Sequence, residues 1–220
     1  MQRIPEPELM DEAEQAQAYA EADFDAANRL FVDRFRAAFG DGLKGRALDL
    51  GCGPADIVGR LARHYPALHF DAVDGAAAML AWAERSLAHD GVAERVTLLR
   101  RHLPCDDLPV ASYQVITSNS LLHHMRDAHG FWTMLAAYAE PGTRVMVMDL
   151  LRPASLTAAN DLVAQYAADA PQVLRQDFYR SLLAAYRPQE IVLQLSRAGL
   201  APLDVQVVSD RHWLVSGRLD

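Results

Sequence analysis

Leu48-Asp49-Leu50-Gly51-Cys52-Gly53-Pro54-Ala55-Asp56, residues 48–56, is the stretch that decides the fold. An apolar run enters a turn with two glycines, and a helix-compatible stretch leaves it. Glycine lets a chain turn tightly and lets a ligand approach the main chain closely. This is the grammar of the first strand-to-helix turn in an open α/β sheet. A dinucleotide site would want a third glycine at position 56, where Asp56 stands. Asp49 and Asp56 would also repel a pyrophosphate held at the helix start. They suit a phosphate-free ligand that carries positive charge at this point. The plainer alternative is a tight turn with no ligand.

Working outward, strands and helices alternate. Strands are expected at 46–50, 69–73, 95–100, 112–118 and 143–149, with helices at 54–64, 76–89 and 127–139 between them. Upstream, residues 8–39 have helical periodicity through Ala20, Phe24, Ala27, Leu30, Phe31, Phe35 and Phe39. Residues 152–187 show helical and irregular character. An amphipathic helix over 188–198 follows, stopped at Gly199. Two last strands, 202–208 and 212–217, are joined by a link short enough for a hairpin. The expected fold is therefore α/β and Rossmann-like: a seven-stranded, mostly parallel sheet with an antiparallel last strand and helices on both faces. It reads as a single domain over 1–220. Residues 1–42 form a helical cover, 43–151 a cofactor-binding core, 152–187 a helical lid inserted after strand five, and 188–220 the final helix and strands.

The second strand ends at Asp74, about twenty residues beyond the glycines, the spacing of an acid that holds ribose hydroxyls. As a structural alternative, Asp74-Gly75-Ala76 serves as a helix cap. Together with the turn, this favours a nucleoside that is cationic and lacks phosphate. S-adenosylmethionine is one, through its amino group and sulfonium.

The segments ALDLGCGPAD, FDAVDGAAAML, DDLP and VITSNSLLHHM resemble, in order, the motifs of the class I S-adenosylmethionine-dependent methyltransferases. The likeness covers about residues 46–150 and is nearest the small-molecule branch. It implies methyl transfer by in-line displacement, with S-adenosylmethionine as cofactor and S-adenosylhomocysteine as product. It places Asp49, Gly51, Cys52, Gly53 and Asp56 around the methionine part, and Asp74 and Gly75 at the ribose. Met79, His102 and Leu103 fall beside the adenine, and Asn119, Ser120 and Leu121 at the methyl end. Tyr19 and Asn28, on the N-terminal cover, fall over the cofactor. The chain departs from the family in three places. Ala55 replaces the usual third glycine, which a negative φ would tolerate. His102 stands near a position where an adenine-binding Asp is common. Strand four begins Tyr113-Gln114, where an Asp is common.

Methyl transfer from a sulfonium needs an acceptor held in line and water excluded. A base is needed only if the acceptor must lose a proton. His123, His124 and Asp149 are the candidates, at the ends of strands four and five. Their alternative is structural: histidines bonded to backbone, and Asp149 paired with Arg152. No metal is expected, because adjacent histidines project apart and no further ligand stands at metal spacing. In the insertion, Asp177, Phe178, Tyr179, Arg180, Tyr186 and Arg187 suit an acceptor pocket as well as they suit ordinary packing.

Composition bounds the rest. There are 29 acidic and 21 basic residues, a formal net charge of -8, which argues against nucleic-acid partners and an RNA substrate. Cys52 and Cys105 form no disulfide framework. No apolar run is long enough to span a membrane, the start of the chain is polar, and a cytoplasmic location is the expectation. The expected partner is a small-molecule acceptor, with a homodimer as a compatible assembly. The competing readings are an NAD(P)-dependent oxidoreductase and a non-catalytic S-adenosylmethionine-binding protein.

Overall fold

The computed structural model describes residues 1–6 and 13–220. The 8–39 stretch is interrupted rather than continuous: α1 spans Ala13–Glu21 and α2 Asp25–Phe39, and residues 8–12 lie outside the described residues. The break has a local cause. Asp23 accepts the Asp25 backbone N–H through its side chain at 2.9 Å, which competes with helix continuation.

The alternation then follows the expected order: β1 (Lys44–Leu50), α3 (Asp56–His64), β2 (Ala67–Asp74), α4 (Ala77–His89), β3 (Val96–Arg100), β4 (Tyr113–Asn119), α5 (Ala128–Ala137) and β5 (Ala139–Leu150). The insertion forms α6 (Leu156–Tyr166) and α7 (Gln172–Ala184). The chain then runs through α8 (Pro188–Arg197), β6 (Asp204–Val207) and β7 (His212–Arg218). The seven strands lie in the order β3-β2-β1-β4-β5-β7-β6. The β1, β2, β3, β4 and β5 neighbours pair in parallel, and β7 is antiparallel to both β5 and β6. β5 starts earlier than its apolar run suggested, and its register against β4 shifts between Tyr113 and Val115.

Two cores sandwich the sheet, because side chains alternate along each strand. Leu48, Leu50, Ile116, Val145 and Val147 pack with α5 and α8 through Phe131, Trp132 and Ile191. Ala47, Phe70, Val115, Met146 and Met148 pack on the opposite face with Phe31, Phe35, Val58 and Leu61 of α2 and α3. The insertion sits where the strand ends meet it, with α7 against α1 and against the 3-10 turn Leu122–His124 that follows β4. Among the described residues, no helix is long and apolar enough to cross a membrane.

The first six residues are stitched to the strand ends. Arg3 donates to the carbonyls of Ala184 (2.5 Å), His123 (2.9 Å) and Met125 (2.8 Å), and its guanidinium stacks 4.1 Å from the Tyr186 ring centroid. Ile4 N–H donates to Leu183 O at 3.0 Å.

One buried acid inside the sheet has a structural role. Asp71 on β2 is fully buried. It accepts from Arg46 Nη2 with both oxygens at 2.7 Å and from the Tyr113 hydroxyl at 2.8 Å. Removing it leaves two donors without an acceptor. Asp71→Ala should lower unfolding free energy by about 3 kcal/mol, the low end for a broken buried pair because Arg46 is partly solvated. An unchanged urea midpoint would contradict this role.

Candidate functional site

β1 carries Asp49 and Leu50 into the glycine turn. Gly51 has φ +73°, and a Cβ there would stand 2.7 Å from Leu121 Cδ1. Gly53 has φ +52°, yet nothing lies within 4 Å of its Cβ position, so open space faces the backbone there. The turn is pinned to the end of β2. Val73 O accepts from Gly51 N (2.8 Å) and Cys52 N (2.9 Å), and Asp74 Oδ2 accepts from Gly53 N at 2.8 Å.

Ala55 departs from its expected conformation. It has φ +65°, so the third glycine position keeps its left-handed backbone although glycine is gone. That conformation costs a non-glycine residue about 1–2 kcal/mol. Burial of the methyl in the α2–α3 core returns about 0.8 kcal/mol.

Asp49 is 3% exposed and accepts from Thr117 Oγ1 at 2.5 Å. Burial pushes its carboxyl up to about 7; the Thr117 bond works against that rise and the Asp74 charge adds to it. A group poised this way ionises readily once a cation arrives. Asp74 is half-buried, and its Oδ1 accepts from Ala76 N at 2.9 Å. This is an Asx-type turn ahead of α4, whose N-cap is Ala76 with no side-chain cap bond, so the helix-cap reading of Asp74 does not hold. Gly75 O accepts from Arg100 Nε at 3.4 Å. Burial, with the Asp74 and Asp49 charges, pushes the Cys52 thiol well up, which keeps it protonated and inert.

Asn28 and Asp56 are brought together, but with each other. Asn28 Nδ2 donates to Asp56 Oδ2 at 2.5 Å, and Arg60 Nε donates to Asp56 Oδ1 at 2.6 Å. The Asp56 charge is thus met by Arg60, and Asn28 is a buried brace from α2 to α3.

α1 lies over the start of α4, with Ala16, Ala76 and Met79 buried together and Tyr19 packed on them. Met79 is therefore sheltered beneath the helical cover. Burial and the charges of Asp74, Asp149 and Asp56 push the Tyr19 hydroxyl up to about 12, so it remains a donor in the field of the strand-end acids. Its ring rests 4.7 Å from that of Phe24.

At the end of β4, Ser120 has φ +55° and Asn119 Oδ1 is buried without a hydrogen-bond partner among the described residues. A buried acceptor without a partner is a natural site for an incoming donor. Leu121 packs against Gly51, joining the two strand ends. After β3, His102 is exposed and Leu103 is half-buried on the α5–α8 core.

Asp149 ends β5 at 1% exposure. It accepts from His123 N (3.0 Å) and Leu150 N (2.6 Å), and meets His123 Nδ1 at 2.5 Å. Burial works against the charge on both partners, but their mutual attraction outweighs it. The Asp149 carboxyl is held below its ordinary range and the His123 imidazole above its own. Arg152 is no partner of Asp149: its Nη2 donates to Glu190 Oε1 at 2.7 Å.

The two histidines do not diverge as neighbours on a strand would. The 3-10 turn lays their rings 4.1 Å apart, centroid to centroid, at 37°. Glu6 joins them, its Oε1 lying 3.5 Å from His123 Nε2 and 3.2 Å from His124 Nδ1. Ser181 of α7 donates to the same oxygen at 3.0 Å. Sequence spacing missed Glu6, Arg3 and Thr117. The first two lie in a polar stretch with no periodicity, and Thr117 looks like an ordinary strand residue.

The insertion contributes less to the cleft than its aromatics suggested. Tyr186 is buried and donates to Met125 O at 3.1 Å, while Phe178 and Tyr179 pack on the α6–α7 core. At the start of α8, Glu190 Oε2 accepts from the Arg187 backbone N–H at 2.8 Å. Asp177 accepts from Gln15 of α1 at 2.8 Å, tying the cover to the lid.

Comparison with known proteins agrees with this geometry. Residues 47–142 match a family model described as a methyltransferase domain. An uncharacterized methyltransferase of Mycobacterium bovis is 30% identical over 106 residues, 48% of this chain and 51% of that protein; its Mycobacterium tuberculosis counterpart matches equally. The chain thus spans about half the length of the curated relatives it matches. In fold, it is similar to a SAM-dependent methyltransferase from Aquifex aeolicus, with TM-score 0.66, 17% identity, and 95% of this chain and 99% of that one covered. It is also similar to an O-methyltransferase family protein from Burkholderia thailandensis, with TM-score 0.68, 17% identity, and 94% and 60% covered. The pinned glycine turn, Asp49 and Asp74 all fall within residues 47–142, the part of the chain that matches the methyltransferase-domain model.

Proposed function

We propose that this chain binds S-adenosylmethionine across the glycine turn and transfers its methyl group to a small-molecule acceptor. The observation that carries the reading is the pairing of the buried Asp49 carboxyl with a left-handed Gly53 that faces open space. A cationic ligand meets a carboxylate that is costly to ionise alone, and nothing at the turn is built for phosphate. The orphan Asn119 Oδ1 suits an ammonium donor, and Asp74 suits the ribose. Tyr19 and α1 exclude water from above.

We assign His123 and Asp149 to shaping the acceptor side rather than to proton abstraction, because both ring nitrogens of His123 already face partners. The acceptor is taken to be one that reacts without a strong base. The mitomycin 7-O-methyltransferase, of similar fold at 16% identity and TM-score 0.68, acts on oxygen, and oxygen is the acceptor atom we favour.

The test is calorimetry with adenosylmethionine and adenosylhomocysteine. One site per chain is expected. Uptake of a dinucleotide with neither of these would overturn the reading. Gly53→Ala should bind at least about tenfold more weakly, while left-handed strain costs it only about 1–2 kcal/mol of stability.

Asp49→Asn separates binding from stability. The folded carboxyl titrates near 7 and the unfolded one near its ordinary value of 3.8. The folded state therefore holds the proton more tightly, and stability falls as pH rises from about 4 to about 7. Above that window, Asp49→Asn should be more stable than the parent by a few kcal/mol, on the order of the shift at 1.36 kcal/mol per unit. It should nonetheless bind adenosylmethionine at least about tenfold more weakly. Parental affinity in the variant would remove Asp49 from the cofactor site. A melting temperature at pH 8 that drops would contradict the cost assigned to its burial.

A further inference from the structure

We propose that Glu6, His123 and His124 form a binding site for a divalent cation of the zinc class, joining the first residues of the chain to the end of β4. The proposal goes beyond methyl transfer and does not depend on cofactor binding.

The argument starts from protons. Asp149 Oδ1 lies 2.5 Å from His123 Nδ1 and, as a carboxylate, accepts its N–H. In the neutral ring that leaves a lone pair on Nε2, which faces the carboxylate of Glu6 at 3.5 Å. His124 Nδ1 faces the same oxygen at 3.2 Å. Acceptor-rich atoms thus converge on one point, and all three ligand atoms lie within 4.8 Å of one another. A cation at their centre resolves that crowding.

The spacing fits a particular ion. Zinc–ligand bonds of about 2.0–2.2 Å in a tetrahedron give ligand–ligand edges of about 3.3–3.6 Å. Of the two edges to Glu6, the one at 3.5 Å lies in that range and the one at 3.2 Å just below it. Two imidazoles with one carboxylate select zinc and its first-row neighbours over magnesium or calcium. The outer partners are in place as well. Asp149 fixes the His123 ring through its other nitrogen, and the Ser181 hydroxyl donates to Glu6 at 3.0 Å. Zinc takes histidine as the neutral imidazole, so its uptake displaces any proton held on His123 Nε2. Three protein donors leave a fourth position for water or a small ligand.

The experiment uses the full chain, stripped with a chelator and titrated with zinc against a chromophoric competitor, then with cobalt(II) for its visible d–d bands. One zinc per chain and a tetrahedral cobalt spectrum are expected. Glu6→Gln and His124→Ala should each weaken zinc binding more than about 100-fold, beyond what loss of an outer-shell partner does. His129→Ala, an exposed histidine on α5, should bind as the parent does. Circular dichroism checks that each variant is folded. Glu6→Gln is the gentler change, since its amide oxygen still accepts from Ser181. Absence of saturable zinc uptake by the parent overturns the proposal, as does uptake indifferent to both Glu6→Gln and His124→Ala. Failure to bind adenosylmethionine would leave the metal result standing on its own.

Discussion

A single main-chain carbonyl sets the geometry on which the cleft depends. Val73 O receives two successive N–H groups of the glycine turn, and the next side chain, Asp74, receives a third. The turn cannot relax without losing all three bonds. The end of β2 thereby determines where the backbone of residues 51–53 faces, and so where a ligand meets it. Parallel pairing of β1 with β2 supplies this alignment, since Leu50 lies opposite Val73 in register.

Buried acids divide the labour of the molecule. Asp71, Asp49 and Asp149 are all buried, but each is compensated differently. Asp71 is answered by a guanidinium and a phenol and serves the sheet. Asp149 is answered by an imidazole and two backbone amides. Asp49 has one hydroxyl, too little to hold its charge comfortably. The least compensated of the three is the one that the proposed cationic ligand would complete. Backbone strain gathers at the same edge, since Ala55 and Ser120 are the non-glycine residues with positive φ among those described.

Much of this was legible before any coordinates. The strand-turn-helix of residues 48–56 and the strand alternation pointed to a seven-stranded, mostly parallel sheet with an antiparallel last strand, but not to the order of its strands. Asp74 was legible from its spacing to the glycines. Side-chain partnership was not. Asn28 and Asp56 each looked ready for a ligand, and only the packing of α2 on α3 shows them joined. The His123–His124 pair carried no sign of Glu6, because more than a hundred residues separate them and residues 1–6 have neither periodicity nor motif. Local pattern reveals elements; contacts between distant irregular segments have no local signal to read.

Arg3 has a mechanical consequence. One guanidinium grips the last turn of α7 and the loop after β4 at the same time. It rivets the end of the insertion to the strand-end loop, so the outermost residues of the chain fix the corner where α7 meets the end of β4.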